Sequence, residues 1–376
     1  MKIIGIICEY NPFHNGHLYH LKKIKEMYPS SCIILVMSSS FTQRGEISIL
    51  NKWEKTDIAL QYGVDLIIEL PFVFSTQSAD IFALGAISIL NHLKVDTIVF
   101  GSESNDPNQL IEIANIQLNN PNYNKIVKDY LDKGENYPTA LSLAINQLYN
   151  KTISLPNDLL GLSYVKEIIK QQANIEIKTI QRTNDFHNKK LNHKIVSATA
   201  IRNNLDNKNI KKYVPSFTYQ YLKEKYPTDN YFTLLKYKII SEQENIKIYQ
   251  TVDEGIHHRI LKYIDETNSL EELIQKIKTK RYTYNKIHRM LTHILCSFTK
   301  EEAKNIKINY IRVLGFNQKG IHYLNKIKKD LTIPLITNYK KEYNTLLEIE
   351  TKIDKIYSLI MNDKNYDYIR KPIKLD

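Results

Sequence analysis

Apolar and polar residues follow two different periods along the first half of the chain. Short runs rich in Ile and Val predict buried strands at residues 3–8, 32–37, 64–69, 97–100 and 175–180. Between them, apolar residues recur at helical spacing and predict helices over 17–27, 52–62, 79–93, 138–149 and 160–171. Strands that alternate with helices are typical of a mostly parallel sheet covered on both faces, so we predict a Rossmann-like α/β fold.

The pattern changes after about residue 205, where helical periods replace most strand signals. Helical segments are predicted near 216–225, 230–247, 256–264, 269–278, 283–297, 319–329 and 340–360. We therefore predict two domains, a nucleotide-binding catalytic α/β domain over 1–205 and a mostly helical domain over 206–376. A chain of 376 residues is long enough for two cores.

Charge distinguishes the two halves. The net charge is +12, but residues 1–205 carry 20 basic against 19 acidic residues, whereas residues 206–376 carry 32 against 21. Nearly all of the positive charge therefore belongs to the helical half, and such a field favours capture of polyanions.

The apolar start of the chain is too short for a signal peptide, because Glu9 interrupts it, and no run elsewhere is long enough to span a bilayer. We expect a cytoplasmic protein with no membrane partner. Cys8, Cys32 and Cys296 are widely spaced, which indicates reduced core residues rather than a zinc site.

The segment Asn11-Pro12-Phe13-His14-Asn15-Gly16-His17 directly follows the first predicted strand and precedes the first predicted helix. A helix amino terminus offers free N–H groups and a partial positive charge, which favour an anion such as a triphosphate. Gly16 allows close approach of the backbone, and His14 and His17 can donate hydrogen bonds to phosphate oxygens. The two histidines could instead form a surface pair or part of a metal site, but their place at a strand-to-helix junction favours ATP.

A second segment, Val196–Arg202, lies shortly after the last predicted strand. Ser197 can cap a following helix, and Arg202 would then lie near enough to contact a polyphosphate. A Ser before an apolar helical run is often only a cap, so this segment is ambiguous by itself.

Together, the H-x-G-H turn and the S-x-T-x-I-R helix start resemble the HIGH-motif nucleotidyltransferase superfamily. Over essentially its whole length the chain resembles, more narrowly, the bacterial tRNA(Met) cytidine acetate ligase family. The segments that carry this narrower resemblance are 9–17, 43–46, 52–53, 63–71, 79–83, 100–103, 156–157, 160–161, 197–202, 280–289 and 314–316.

The resemblance implies a nucleotidyltransferase type of sheet and an enzyme that activates acetate with ATP. The acetyl group of acetyl-adenylate would then pass to N4 of the wobble cytidine, position 34, of elongator tRNA(Met), with release of AMP and pyrophosphate. The implied catalytic residues are His14, His17, Ser197, Thr199 and Arg202, with Mg²⁺ expected to assist and no protein metal ligand predicted. The implied ATP site comprises Ile7, Cys8, Glu9, Tyr10, Asn11, Pro12, Phe13, His14, Asn15, Gly16, His17, Leu18, Tyr19, His20, Gly101, Asn157 and Arg182.

The chain departs from the family pattern at two places. Ser39 and Ser40 stand where relatives usually have Gly and then Asn or His, and Asp158 replaces an Asn. A lost Gly could stiffen the loop, and a lost Asn or His could remove a ligand contact. These changes put the geometry of the acetate pocket in question.

A basic stretch with tyrosines lies in the second half, at Lys276, Lys278, Lys280, Arg281, Tyr282, Tyr284, Lys286 and Arg289. Its cations could neutralise phosphates while its tyrosines stack on unpaired bases, although a charge run of this kind can also be a solvated helix face. The charge excess of residues 206–376 favours RNA.

Two other functions fit parts of the sequence. A small-molecule adenylyltransferase would use the same turn but needs no basic helical domain, and a non-catalytic RNA-binding protein could keep a degenerate nucleotide site, marked by Ser39-Ser40.

Overall fold

Five strands from the first half form the parallel part of one sheet. The computed structural model describes residues 1–150, 155–182, 196–223, 230–304, 306–339, 345–363 and 370–376. These strands lie in the order β5-β4-β1-β2-β3, and their ends agree with the predicted strands to within two residues. They are β1 (Ile3–Cys8), β2 (Cys32–Ser38), β3 (Leu66–Leu70), β4 (Thr97–Ser102) and β5 (Glu176–Gln181).

The central strands are apolar because both of their faces are covered. All seven residues of β2 are buried, whereas β5, at the edge, is half-exposed and carries an ion pair between Glu176 and Lys2. Register is regular among the parallel strands β1 to β5, with Ile4 opposite both Ile33 on β2 and Thr97 on β4. The parallel arrangement brings the carboxyl ends of β1, β4 and β5 to one edge of the sheet.

Helices follow the strands, as the helical spacing predicts. Those of the first part are α1 (Asn15–Met27), α2 (Lys52–Gln61), α3 (Phe72–Ser75), α4 (Ala79–His92), α5 (Pro107–Asn119), α6 (Tyr123–Asp132), α7 (Tyr137–Tyr149), α8 (Pro156–Lys170) and α9 (Ala198–Arg202). Helices α5 and α6 were not predicted. Asn and Gln interrupt the apolar residues of α5, whereas the apolar residues of α6 do recur at helical spacing and were missed. The start of α5 nevertheless has a readable signal, since Asp106 accepts a hydrogen bond from the N–H of Gln109 and Pro107 occupies the first turn.

The second part contains the predicted helices and, in addition, three strands. Its helices are α10 (Ser216–Leu222), α11 (Asn230–Glu242), α12 (Ile256–Ile264), α13 (Leu270–Ile277), α14 (Tyr284–Leu295), α15 (Gln318–Ile327) and α16 (Thr345–Met361), with 3-10 turns at Lys208–Lys212 and Gln243–Ile248. The strands are β6 (Ile311–Phe316), β7 (Leu335–Ile336) and β8 (Ile373–Lys374).

Strand β6 changes the predicted division of the chain. It pairs antiparallel with β3 and carries β7 and β8 on its other side, so residues after 205 extend the catalytic sheet. One apolar core runs from Ile3 to Ile360 across the predicted boundary. The mostly helical part predicted over 206–376 therefore contributes a strand to the catalytic sheet instead of standing apart from it. Arg312 and Gly315 explain why the strand was missed, because they interrupt its apolar run.

Among the described residues, no helix has both the length and the apolar character needed to cross a membrane.

Candidate functional site

A cavity of about 1310 Å³ opens at the carboxyl edge of the sheet. Its lining includes Cys8 at the end of β1, Gly101 near the end of β4 and Ile180 near the end of β5. This is the edge at which parallel α/β sheets bind their ligands. The cavity continues to the start of α14, where Lys286 and Arg289 form part of its wall.

The two histidines of the turn fix each other's orientation. His14 is the N-cap of α1, and its Nδ1 accepts a hydrogen bond from the N–H of Gly16 at 3.0 Å. His17 folds back so that its own Nδ1 accepts from the N–H of His14 at 3.2 Å. The two rings lie 3.9 Å apart between centroids. This reciprocal arrangement is a capping box built from imidazoles.

The capping bonds also determine the tautomer. Because Nδ1 of each ring accepts a backbone hydrogen bond, the proton of each neutral imidazole must lie on Nε2. Neither Nε2 has a hydrogen-bond partner among the described residues, and both side chains line the cavity. Each histidine therefore offers one N–H donor to a ligand.

Both rings are neutral at physiological pH. Burial, together with Arg182 and Arg202, lowers the pKa of His14 to about 3. Burial also lowers the pKa of His17 well below its usual range, and it lowers that of His20 to about 4. Nearby positive charge adds to the cost of protonating these rings, so this part of the cavity is electropositive and favours an anion.

Arg182 is held beside the turn by the start of α8. Its Nη1 donates to Oδ1 of Asn157 at 3.1 Å, and Nδ2 of Asn157 donates to Glu103 at 2.5 Å. A Cβ at Gly101 would lie 3.2 Å from Cγ of Arg182, so the absence of a side chain there lets the arginine lie across β4. Gly101, Asn157 and Arg182, predicted from separate segments, thus form one group.

The Ser197–Arg202 segment reaches the same cavity. Ser197 caps α9 by accepting from the N–H of Ala200 at 3.1 Å, as predicted. Arg202 donates to the carbonyl oxygen of Asn11 at 2.7 Å, forms an ion pair with Glu46 and lies 3.3 Å from Oγ1 of Thr199. In this structure the guanidinium therefore supports the back of the histidine turn, and it would have to loosen its bond to Glu46 to contact a phosphate.

Part of the predicted ATP segment supports the turn through hydrogen bonds to other segments of the backbone. Asn11 bonds the backbone at Ile47 and Ile49, and Asn15 bonds the backbone of Lys212 and Tyr213. The predicted residues that do not line the cavity are Pro12, Phe13, Asn15 and Leu18. Those that do are Ile7, Cys8, Glu9, Tyr10, Asn11, His14, Gly16, His17, Tyr19, His20, Gly101, Asn157, Arg182, Ser197, Thr199 and Arg202.

Ser39 and Ser40, at which the chain departs from the family pattern, do not line the cavity. The hydroxyl of Ser39 donates to Glu350 at 2.6 Å and that of Ser40 donates to Asp354 at 2.7 Å, both on α16. Neither serine has a positive φ, so the backbone here does not require Gly. Asp158 is also structural, because its carboxylate accepts from Ser102 and from the N–H groups of residues 103 and 104.

Lys55 is a positioning residue that the sequence did not reveal. Its ammonium group donates to the carbonyl oxygens of Glu9, Ser38 and Ser39, at 3.1, 2.7 and 2.7 Å. All three protons are thereby used, and the ends of β1 and β2 are tied together. Burial lowers its pKa to about 7. A lysine within an amphipathic helix gives no sequence signal for such a role.

The opposite wall of the cavity is built by α14 and the turn 42–46. Gly45 has φ +87°, and a Cβ there would lie 2.7 Å from Cα of Arg289, so only Gly allows this close approach. Thr292 strengthens the contact by donating to the carbonyl oxygen of Gly45 at 2.7 Å. Burial and nearby Arg44 lower the pKa of Arg289 to about 10, and no described residue hydrogen-bonds or ion-pairs with its guanidinium.

Several residues of the basic stretch contact other residues of the protein. Lys280 pairs with Glu135, and Arg281 lies 3.9 Å from Glu254. Tyr282 is buried, its hydroxyl donates to the carbonyl oxygen of residue 253, and Lys286 lies 4.0 Å above its ring. The expectation that Tyr282 stacks on an RNA base is therefore corrected.

Among the described residues, two groups each bring together three side chains that could bind a metal ion. Neither group includes a residue of the histidine turn. Glu244, His257 and His258 form an exposed group, whereas Glu69, Glu350 and Asp354 are buried. Lys52 occupies the buried group, because its Nζ lies 2.5 Å from Glu69 and 2.6 Å from Asp354. The three cysteines are free, as expected.

Comparisons with known proteins agree with this geometry. A family model described as HIGH Nucleotidyl Transferase matches residues 1–371. The chain is 41% identical to a tRNA(Met) cytidine acetate ligase of Anoxybacillus flavithermus, over 96% of this chain and 95% of that protein, and 41% identical to one of Caldicellulosiruptor saccharolyticus, over 96% and 94%.

Two solved structures of Thermotoga maritima TmcAL are similar over 100% of both chains. The apo form superposes with a TM-score of 0.91 at 30% identity, and the form bound with alpha-thio ATP superposes with a TM-score of 0.89 at 31% identity.

Proposed function

Because this chain belongs to the tRNA(Met) cytidine acetate ligase family of HIGH nucleotidyl transferases, we propose that it uses ATP to acetylate a cytidine of tRNA(Met). The family resemblance found in the sequence and the nucleotidyltransferase fold are thereby confirmed. The observation that carries the proposal is the pair of neutral histidines whose Nε2–H groups face one electropositive cavity at the sheet edge. The substrates would be ATP, acetate and elongator tRNA(Met).

In the first step, an oxygen of acetate attacks the α-phosphorus of ATP and pyrophosphate leaves. His14 and His17 would donate to the phosphoryl oxygens on which negative charge accumulates, and Arg182 would balance the charge of the adenylate. Their protons need not move, since both rings remain neutral. Thr199 and the Ser197 cap would hold Arg202 against the turn, where it can approach the departing pyrophosphate if Glu46 releases it.

Mg²⁺, when bound, would neutralise charge on the triphosphate. The described residues offer no group of free carboxylates at the turn, so the ion would be held mainly by phosphate oxygens and water. The roles of the histidines do not depend on where it binds.

In the second step, the cytidine amine attacks the acetyl carbonyl carbon and AMP leaves. The cavity that holds the histidine turn extends to Arg289 and Lys286 on α14, so a nucleotide entering along α14 would meet the adenylate without leaving the cavity. Arg289 has no acidic partner among the described residues, which suits it to a phosphate of the tRNA backbone. The basic excess of residues 206–376 would attract the rest of the tRNA.

The test uses the full-length protein with ATP, Mg²⁺ and labelled acetate. Two transcripts of elongator tRNA(Met) serve as a matched pair, one with the wobble cytidine and one with uridine in its place, which lacks the N4 amine. Label is expected in the cytidine transcript alone, with one AMP and one pyrophosphate formed for each acetyl group transferred.

Other outcomes identify the alternatives. Pyrophosphate release that requires neither acetate nor tRNA would indicate a small-molecule adenylyltransferase. Salt-sensitive tRNA binding without any turnover would indicate a non-catalytic RNA-binding protein, and either result would overturn the proposal.

A further inference from the structure

Transfer of an acetyl group to the cytidine amine releases a proton. The acceptor of this proton is either a side chain of the cavity or the departing AMP. The amine is a poor nucleophile because its lone pair is delocalised into the ring, and it becomes strongly acidic once it bonds to the acetyl carbon. A general base within hydrogen-bond distance therefore raises the rate substantially.

The basic candidates of the cavity do not fit this task. His14 and His20, with pKa values of about 3 and about 4, are too weak as bases, and burial lowers the pKa of His17 well below its usual range. Nδ1 of His14 and Nδ1 of His17 already accept backbone N–H groups. Lys55 does not line the cavity and uses its three protons on backbone carbonyl oxygens. The proton acceptor must then be sought among the carboxylates.

Most carboxylates on the cavity wall already have a cationic partner. Glu46 pairs with Arg202, Asp80 with Lys166, Glu135 with Lys280, and Glu254 lies near Arg281, while Asp132 is exposed at the end of α6. Glu9 differs from the first four because no ion pair joins it to any described residue, and it differs from Asp132 because it is not exposed.

Glu9 is also fixed in place. It follows β1 directly, its carbonyl oxygen accepts from Lys55, and its Oε1 accepts from the N–H of Gln43 at 2.5 Å. Its Oε2 has no hydrogen-bond partner among the described residues, and the side chain lines the cavity. One carboxylate oxygen thus anchors the group, and the other remains available.

The position of Glu9 suits the second step. The residue lies between the histidine turn, which begins two residues later, and the turn 42–46, which packs against α14 at Arg289. The proposed adenylate and the proposed path of the tRNA meet at this part of the cavity.

We propose that Glu9 is the general base for the amine, so that its free oxygen accepts the N4 proton as the acetyl group is transferred. The C–N bond forms, the bond between the acetyl carbon and the adenylate oxygen breaks, AMP leaves with the electron pair, and the proton ends on Glu9. This inference rests on the proposed function and adds a residue role to it.

The surroundings of Glu9 strengthen it as a base. Burial raises the pKa of its carboxyl group, and the neighbouring Glu46 raises it further, whereas the bond from Gln43 and the charges of Arg44 and Lys55 lower it. The net direction is upward, which increases the affinity of the carboxylate for a proton.

The test separates the two half-reactions in the full-length protein. The variant Glu9→Gln keeps an oxygen that can accept from Gln43 but cannot take up a proton. At saturating ATP, single-turnover transfer to tRNA should fall by about 10²- to 10⁴-fold more than acetate-dependent ATP–pyrophosphate exchange does, because exchange does not require removal of the N4 proton. The rise of the transfer rate with pH, due to deprotonation of Glu9, should disappear.

Glu26→Gln is the control, since Glu26 is an exposed residue of α1 paired with Lys23 and its loss should change neither half-reaction. If Glu9→Gln fails to fold, Glu9→Asp replaces it, and this variant should keep the pH dependence of transfer while transfer slows more than exchange does. Normal transfer in Glu9→Gln, or an equal loss of exchange and transfer in the folded variant, would overturn the role of Glu9. A wild-type protein that never labels tRNA would instead refute the proposed function itself.

Discussion

His14 combines two roles that one pair of substitutions can separate. Its Nδ1 caps α1, with the N–H of Gly16 at 3.0 Å, and its Nε2–H is the proposed phosphate donor. In His14→Asn, the side-chain oxygen can still cap the helix, because Asn is among the best N-cap residues, but the Nε2–H donor is lost. In His14→Ala, the cap and the donor are both lost.

The magnitudes follow from these contacts. Loss of an N-cap costs about 1 kcal/mol of the free energy of unfolding, and loss of the ring contact with His17 at 3.9 Å costs about 0.5–1.5 kcal/mol. We therefore expect His14→Asn to be destabilised by about 1 kcal/mol and His14→Ala by about 2 kcal/mol. Loss of one donor to the transition state costs about 2.7–4 kcal/mol, so both variants should lose about 10²- to 10³-fold in rate.

Two assays distinguish the roles. Acetate-dependent ATP–pyrophosphate exchange reports the donor, and urea unfolding reports the cap. The reasoning would be refuted if His14→Asn exchanged at the wild-type rate while His14→Ala did not, because the capping bond alone would then explain the importance of His14.

Three further predictions concern other parts of the molecule. Burial keeps the folded-state pKa values of His14 and His20, at about 3 and about 4, below the usual 6.5. Because the unfolded chain then binds protons first, the free energy of unfolding should decline as pH falls from about 6.5 towards 4. Urea midpoints measured against pH should show this decline, and a midpoint unchanged down to pH 4.5 would contradict it. Arg289→Met should weaken tRNA binding and reduce the dependence of that binding on salt, as measured by filter binding. ATP–pyrophosphate exchange without tRNA should be unchanged. An equal loss of tRNA binding and of exchange would argue against a phosphate contact. Lys52→Met should lower the free energy of unfolding by about 3–5 kcal/mol, because buried Glu69 and Asp354 lose the cation that pairs with them. A denaturant titration measures this loss, and a change of less than about 1 kcal/mol would show that the remaining charges compensate.

Much of the sheet could be predicted because its strands are unusually apolar. Strands β1 to β4 are mostly runs of apolar residues between helical segments, and such runs occur where helices cover both faces, whereas β5 at the edge of the sheet alternates apolar and polar residues. Strand β6 could not be found in this way. Arg312 is buried within it beside Glu69, and an arginine that pairs with a carboxylate from a distant strand leaves no local pattern.

The site shows the same contrast. His14 and His17 lie at the start of α1, in the connection that follows β1, and Gly101 lies near the end of β4; these positions alone indicate a ligand, and the cavity brings the three residues together. The contributions of Lys55 and Glu9 depend on hydrogen bonds to residues that are far away in sequence, so their chemistry appears only in three dimensions. The charge excess of residues 206–376 agrees with the presence of Lys286 and Arg289 on the cavity wall, but it did not reveal that Tyr282 is buried.

The pairing of β3 with β6 affects how the protein can be made. During synthesis, the ribosome must translate from Leu70 to Ile311 before the outer edge of β3 can be covered. Until then the nascent chain carries an unpaired strand edge, and Glu69 lacks the contributions of Arg312 and Asp354 to its buried charge cluster. Unpaired edges promote association between chains. A messenger truncated before the codon of residue 311 should therefore yield a product that aggregates instead of one that can still form the adenylate. Loss of the chain after residue 310 would thus remove both half-reactions at once.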